Sequence, residues 1–248
     1  MKKNRINIAL FVSKGFLSKS ILNKINTIAK KANINLLVSS DTFKKEFAKI
    51  YKKKINWIKN TKNNDNKVLH EIKKKKILYA FSLQYRWKIS KKIINSLDYF
   101  FNFHFGDIPN YRGHFPIIYA MLNKEKFITG TIHNINEKLD LGQIYKKIFI
   151  KNNNKTSFEI EKLMSKKFSQ VFFEIVDKIF KKKKIKLINI KKRGKYYSIK
   201  VDINKFKEIK TMKELKSKTL AFDYPPYTPA FFKINKLKIY TKKNLKEK

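Results

Sequence analysis

Residues 99–106 read YFFNFHFG, a tract of aromatic side chains interrupted at two places by Asn102 and His104. On an extended strand, residues two apart project from the same face, so Asn102 and His104 point one way while Phe101, Phe103 and Phe105 point the other. Gly106 and Pro109 break the run, which places His104 at the strand's C-terminal end. That end is where open α/β sheets bind ligands. Taken alone, the pair is equally compatible with a satisfied polar couple at a turn.

Outward from this strand, short apolar runs alternate with segments of helical period. Strands are expected near Ile6–Val12, Ile34–Val38, Ile77–Leu83, Tyr99–His104, Ile128–Ile135 and Gln143–Ile150. Helices are expected over Phe16–Ala32, Phe43–Lys53, Val68–Lys75 and Ser90–Leu97. This alternation predicts an α/β fold, a Rossmann-like open and mostly parallel sheet with crossover helices. The longest helix is expected over Thr156–Phe180. Thr156 and Glu159 form a capping box there, and Ile160, Leu163, Met164, Phe168, Val171, Phe172, Ile175, Val176 and Ile179 supply one apolar face. Residues 1–184 read as the main domain. Residues 185–248 read as a small C-terminal module with short β-like pieces, three prolines and no long amphipathic helix.

Composition narrows the class. The chain has 248 residues, 42% hydrophobic and 14% aromatic, enough to bury a core. Its formal charge of +42 invites a polyanionic partner. However, the basic residues are Lys throughout except Arg5, Arg86, Arg112 and Arg193, whereas phosphate and base readout favour the guanidinium fork. Lys spread among Ile, Asn, Phe and Tyr in every segment fits AT-rich coding as well as it fits a binding surface. The absence of Cys removes disulfides, thiolate metal sites and Cys nucleophiles, and no metal is expected. The apolar run Ile6–Val12 is too short for a spanning helix and reads as a first strand, so a cytoplasmic chain without a membrane partner is expected.

In a chain dominated by Lys, Asn and Ile, the scarce residues mark special geometry. Gly106, Gly113, Gly130 and Gly142, Pro109 and Pro116, and His104, His114 and His133 all fall within about forty residues. The ordered elements Asn102-x-His104, Ile108-Pro109-Asn110-Tyr111-Arg112-Gly113, Thr129-Gly130-Thr131-Ile132-His133 and Asp140-Leu141-Gly142 resemble the signature of the folate-dependent formyltransferase family. The wording is similar in particular to its branch acting on nucleotide-linked amino sugars. Ile108 stands where the family has Leu, and the Gly130-Thr131 element lacks the residue between them. The clear likeness covers residues 77–150, with a second piece at 221–232.

The resemblance implies a reaction and a set of roles. N10-formyltetrahydrofolate would donate the formyl group to a neutral amine, with Asn102, His104 and Asp140 as the catalytic residues. Asn102 would offer an amide N–H to the oxyanion, His104 would carry protons and Asp140 would orient and charge the imidazole. Thr131 and His133 would support them, although His133 facing the site is an even choice on its strand. Asp140 also admits a plain reading as a turn residue before Gly142. Gln84, Tyr85, Trp87 and Leu139 match the places where the family holds folate. An aromatic helix start packed on the sheet is the other reading of Trp87. His114 is open between a helix cap before Pro116 and a substrate contact, and His70 should lie in solvent.

The acceptor is expected to be a nucleotide-linked amino sugar such as dTDP-4-amino-4,6-dideoxyglucose. Lys14 and Gly15 after the first strand and Tyr224 and Tyr227 in the tail are candidate contacts. The alternative acceptor is charged initiator tRNA, as in a methionyl-tRNA formyltransferase with a reduced C-terminal domain. Against it, Ser39–Asn64 lacks Gly and Pro and looks helical, and the tail is short. A homodimer is left open.

Overall fold

The computed structural model describes residues 5–39, 41–51, 55–59 and 64–243. In chain order the elements are β1 (Ile6–Val12), α1 (Phe16–Leu22), β2 (Ala32–Ser39), α2 (Asp41–Ile50), β3 (Asn56–Lys59), α3 (Asp65–Lys74), β4 (Tyr79–Leu83), α4 (Lys91–Ile94) and β5 (Tyr99–His104). They continue with β6 (Arg112–Gly113), α5 (Pro116–Leu122), β7 (Phe127–Asn134), β8 (Ile144–Lys151), α6 (Ser157–Phe180), β9 (Tyr196–Tyr197), α7 (Met212–Phe222), β10 (Phe231–Ile234) and β11 (Leu237–Tyr240).

Seven strands form one sheet in the order β3-β2-β1-β4-β5-β7-β8. The β1–β2, β1–β4, β2–β3 and β4–β5 pairs are parallel, and β5–β7 is antiparallel. The expected open, mostly parallel α/β sheet is therefore what forms, as does a small antiparallel hairpin, β10–β11, in the tail. Contacts gather the chain into two compact units. The first holds the described residues of Met1–His104, Thr131–Lys146 and Ser165–Lys191, and the second those of Phe105–Gly130, Lys147–Met164 and Lys192–Lys248.

Within the first unit the alternation on β5 sorts its side chains as the sequence requires. Phe101 stacks on Phe81 at 5.9 Å, which in turn meets Phe172 of α6 edge-on, and Phe103 meets Phe168. On the opposite face Phe100 packs against Phe11 of β1. Burying such a ring contributes roughly 1.5–3 kcal/mol, so this register is strongly fixed. The α6 stripe from Ile160 to Ile179 is buried as expected, except that Leu163 is 40% exposed. In the second unit, the capping box closes as read: the Thr156 N–H donates to Glu159 Oε2 at 2.7 Å, and the Glu159 N–H donates to Thr156 Oγ1 at 3.1 Å.

Several elements differ from the sequence reading. The segment Ser39–Asn64 holds an edge strand, β3, where only helix was expected, because Asn56–Lys59 is too short to display a period. The helix expected to end at Lys53 ends at Ile50, and residues 52–54 lie outside those described. Phe16–Ala32 is a short helix and a 3-10 turn at Ile25–Ile28 rather than one helix. Ser90–Leu97 is reduced to one turn, with Ser90 Oγ as its cap. The tail holds an 11-residue helix, α7, that its Lys-rich sequence conceals.

Candidate active site

β5 and β7 run side by side with Asn102 opposite His133 and His104 opposite Thr131. Directly opposed residues of an antiparallel pair share a face, so all four side chains meet on one side of the sheet. His104, Thr131 and His133 are buried, and Asp140, from the loop after β7, is buried with them.

The Asp140 carboxylate lies between two imidazoles. Its Oδ2 is 3.6 Å from His104 Nδ1, and its Oδ1 is 3.5 Å from His133 Nε2. The Asn102 amide nitrogen is 3.2 Å from His133 Nε2 and donates to Asp140 Oδ1 at 3.4 Å. His133 Nδ1 sits 3.2 Å from the carbonyl oxygen of its neighbour Asn134. A buried carboxylate needs cationic or hydrogen-bonding partners, and this cluster provides them within one layer of side chains. The separations are at or beyond the long end of hydrogen-bond range, so the group can tighten around a ligand.

The loop carrying Asp140 is shaped by its neighbours. The Asn136 amide donates to the Leu141 carbonyl at 3.0 Å, and Asn136 Oδ1 accepts from the Lys138 N–H at 3.0 Å. Asp140 itself has φ +50°, the left-handed region that Asp tolerates better than most residues. Gly142 is required sterically, since a Cβ there would stand 1.5 Å from the Asn134 carbonyl oxygen. That close approach lets the Asn134 N–H donate to Gln143 O at 2.8 Å, tying the loop's end to β7.

A cavity of about 280 Å³ has walls that include Ile94, Leu97, Phe100, Asn134, Ile135 and Asn136, of which Phe100 and Asn134 stand on the same two strands as Asn102 and His133. Asn136 and Glu137 belong to the loop the sequence singled out, but Ile94, Leu97 and Phe100 were not anticipated, since ordinary core residue types carry no signal. Of the residues matched to folate, Trp87 and Leu139 are each 55% exposed, which removes the packed-aromatic reading of Trp87. Tyr85 is half-buried against Phe11, with ring centroids 5.4 Å apart, and burial first and Asp65 second push its hydroxyl pKa upward. Gln84 reaches back to the start of α1, where its Oε1 accepts from the Leu17 N–H at 3.3 Å and lies over Gly15.

The residues named for the acceptor fall in two places. Lys14 pairs with Glu46 at 3.3 Å in the first unit. In the second unit, Tyr224 packs edge-on against Phe158 and lies 5.9 Å from Tyr227, which is 66% exposed. His70 is exposed, as expected. Among the described residues no cluster of His, Asp or Glu is placed to hold a metal, and no helix is long and apolar enough to cross a membrane.

No family model matches the chain. A curated relative, the bifunctional polymyxin resistance protein ArnA of Wigglesworthia glossinidia brevipalpis, is 27% identical over 174 residues, 70% of this chain, which spans only 25% of that protein's length. A crystal structure of a 4-N formyltransferase from Francisella tularensis superposes with a TM-score of 0.75 at 26% identity, covering 98% of both chains. The N-formyltransferase of Helicobacter canadensis, solved with folinic acid and dTDP-3-aminofucose, gives a TM-score of 0.70 at 20% identity over 95% of this chain and 86% of its own. The sheet, its helices and these likenesses define the Rossmann-like fold of the folate-dependent formyltransferases. Over its whole length the chain is similar to a 4-N formyltransferase.

Proposed function

We propose that this enzyme transfers the formyl group of N10-formyltetrahydrofolate to the amine of a nucleotide-linked amino sugar, with Asn102, His104 and Asp140 as the reacting group. The observation carrying this reading is the convergence of the three side chains, with Asp140 3.4 Å from Asn102 and 3.6 Å from His104; a cavity lined by Phe100 and by Asn95, Asn134 and Asn136 adds to it. The amides suit a heteroaromatic ligand that needs edge hydrogen bonds. Trp87 and Leu139, exposed apolar side chains, would cover the rest of the folate.

His104 takes a proton from the attacking amine and returns one to the leaving nitrogen. Its Nδ1 faces Asp140, so Nε2 is the nitrogen presented to the reactants. Asp140 stabilises the imidazolium formed in that step. His133 anchors the other carboxylate oxygen, and Thr131, opposite His104, closes the layer. Asn102 offers its amide to the oxyanion of the tetrahedral intermediate, a donation worth roughly 3 kcal/mol in acyl transfer. It first gives up one of its two long contacts, to His133 or to Asp140.

That Asn136 braces the loop while Asp140 turns to the imidazoles supports Asp140 as more than a turn former. For the acceptor, the support is the 4-N formyltransferase likeness over the whole chain. The test is direct. Purified enzyme with N10-formyltetrahydrofolate is offered dTDP-4-amino-4,6-dideoxyglucose and, separately, charged initiator methionyl-tRNA. Formylated sugar with unmodified tRNA supports the reading, and the reverse overturns its acceptor half.

A further inference from the structure

The first unit carries a second cavity, of about 1030 Å³, that the chemistry above does not use. Its walls come from β2, β3, α2 and α3. β3 is the outermost strand of the sheet, four strands from β5, or roughly 19 Å at the usual strand spacing. The groove is therefore separate from the group around His104.

One flank of it is basic. Lys67, His70, Glu71 and Lys74 recur at intervals of three and four, so α3 turns them to one side. Lys67 and Lys74 are spaced by roughly 10 Å along the helix, and Lys75 adjoins them. Elsewhere in this unit Lys14, Lys31, Lys91 and Lys146 each face a carboxylate, whereas Lys67, Lys74 and Lys75 pair with none among the described residues. Glu71, an acid in the same lining, is held by the Asn56 amide. A row of cations of this length suits an anion that repeats along a chain.

Trp57 supplies what charge alone does not. It is half-buried in the same wall. Its indole N–H donates to Ser39 Oγ at 3.0 Å, which fixes the ring, and Lys44 Nζ stands 4.2 Å from the ring centroid. A fixed aromatic ring flanked by lysines is the arrangement that receives stacked bases between phosphates. Asn35 adds a polar group. The β1–β2 register pairs Ile8 with Ile34 and Ala9 with Leu36, so Asn35 is passed over. It lines the cavity, and its Oδ1 is buried without a hydrogen-bond partner. Such an acceptor calls for a donor, which a nucleobase amino group or a ribose hydroxyl supplies and a phosphate does not.

We propose that this groove binds a single-stranded nucleic acid, with the α3 lysines on its phosphates and Trp57 beneath a base. The site does not depend on which amine receives the formyl group. A membrane surface would engage projecting apolar side chains, whereas Trp57 is recessed.

The test follows, by anisotropy at physiological salt, binding of a labelled RNA strand of about eight nucleotides. Lys67→Gln with Lys74→Gln should weaken it by about tenfold or more. The same pair should reduce the slope of log affinity against log salt by about 1.4, the share of two phosphate contacts on a single strand. The matched loss Lys183→Gln with Lys184→Gln, in the exposed run after α6, should cost less than about twofold. Trp57→Leu should weaken binding by about fivefold or more with the salt slope unchanged. In Trp87→Phe, which leaves Trp57 as the sole tryptophan, the strand should quench the indole emission. Inorganic polyphosphate, polyglutamate and phosphatidylglycerol vesicles bring charge without a base, and each should compete less well than unlabelled strand at equal charge. No binding by wild type at physiological salt overturns the proposal. So do equal losses from the two lysine pairs, which would leave only the net charge, and equal competition by any of the base-free anions. Wild-type affinity in Trp57→Leu overturns it as well. Should that variant fail to fold, unchanged Trp57 emission at saturating strand has the same consequence.

Discussion

His104 Nδ1 faces Asp140 Oδ2 at 3.6 Å, joining the C-terminal end of β5 to the loop after β7. Both side chains are buried, so the proton and charge balance between them is shielded from solvent. Replacing His104 with Gln should lower kcat by about a hundredfold or more, the usual worth of a positioned acid–base group. Asp140→Asn keeps the shape and removes the charge, and similar damage is expected. Steady-state kinetics beside thermal melting separates the roles. Normal kinetics with altered stability in Asp140→Asn would return the residue to the loop.

Gly142 controls whether that loop can close on β7 at all. A Cβ would meet the Asn134 carbonyl oxygen at 1.5 Å and its carbon at 2.7 Å, both backbone atoms that cannot swing aside. Gly142→Ala should cost roughly 1–3 kcal/mol by forced backbone shift. At roughly 2–4 °C per kcal/mol for a chain of this size, the melting temperature should fall by at least about 2 °C. Activity should fall further than stability, because Asp140 lies two residues away. A variant with wild-type melting and turnover would mean the loop accommodates the methyl.

How much of this was legible depends on whether a residue's role leaves a pattern. Asn102 and His104 stand out as polar breaks in an aromatic strand, and their shared face follows from the period of two. The facing of His133 was undecidable until β7 was seen to pair antiparallel with β5, because only the register puts it opposite Asn102. β3 is four residues among lysines, too short for any period. In α7, of sequence MKELKSKTLAF, the buried residues are Thr219, Ala221 and Phe222, all in its last turn, so no stripe announces it. The cavity walls at Ile94, Leu97 and Phe100 look like core because they are core on one side.

The start of α6 offers a stability test independent of catalysis. Thr156→Ala removes the oxygen that receives the Glu159 N–H and should cost about 1 kcal/mol. For Glu159, burial opposes ionisation, but hydrogen bonds from Lys243 and the Thr156 N–H outweigh it and hold the carboxyl below its ordinary value. A depressed folded-state pKa stabilises above the unfolded value, about 4.3, and that stability is lost as pH falls through the lower folded value. The melting difference between wild type and Glu159→Gln should therefore be largest near neutrality and shrink below about pH 4. A difference independent of pH would assign the effect to packing.

The charge of +42 makes salt the deciding variable for the acceptor. A lysine-rich surface binds tRNA through counterion release, so that affinity should fall steeply as salt rises, by orders of magnitude for several phosphate contacts. Recognition of an amino-sugar nucleotide depends on few charges and on fixed hydroxyl, base and amine contacts, and its KM should move only modestly over the same range. Formylation of the sugar should persist at physiological salt while tRNA, bound at low salt, is retained poorly and left unformylated. The measurement is product formation for both acceptors, with tRNA binding followed in parallel, from low to physiological ionic strength. Efficient tRNA formylation that survives physiological salt, with no turnover of amino-sugar nucleotides, would reassign the acceptor. The roles of Asn102, His104 and Asp140 would stand, because the transfer from folate to an amine needs the same oxyanion donor, proton carrier and carboxylate whichever amine receives the group.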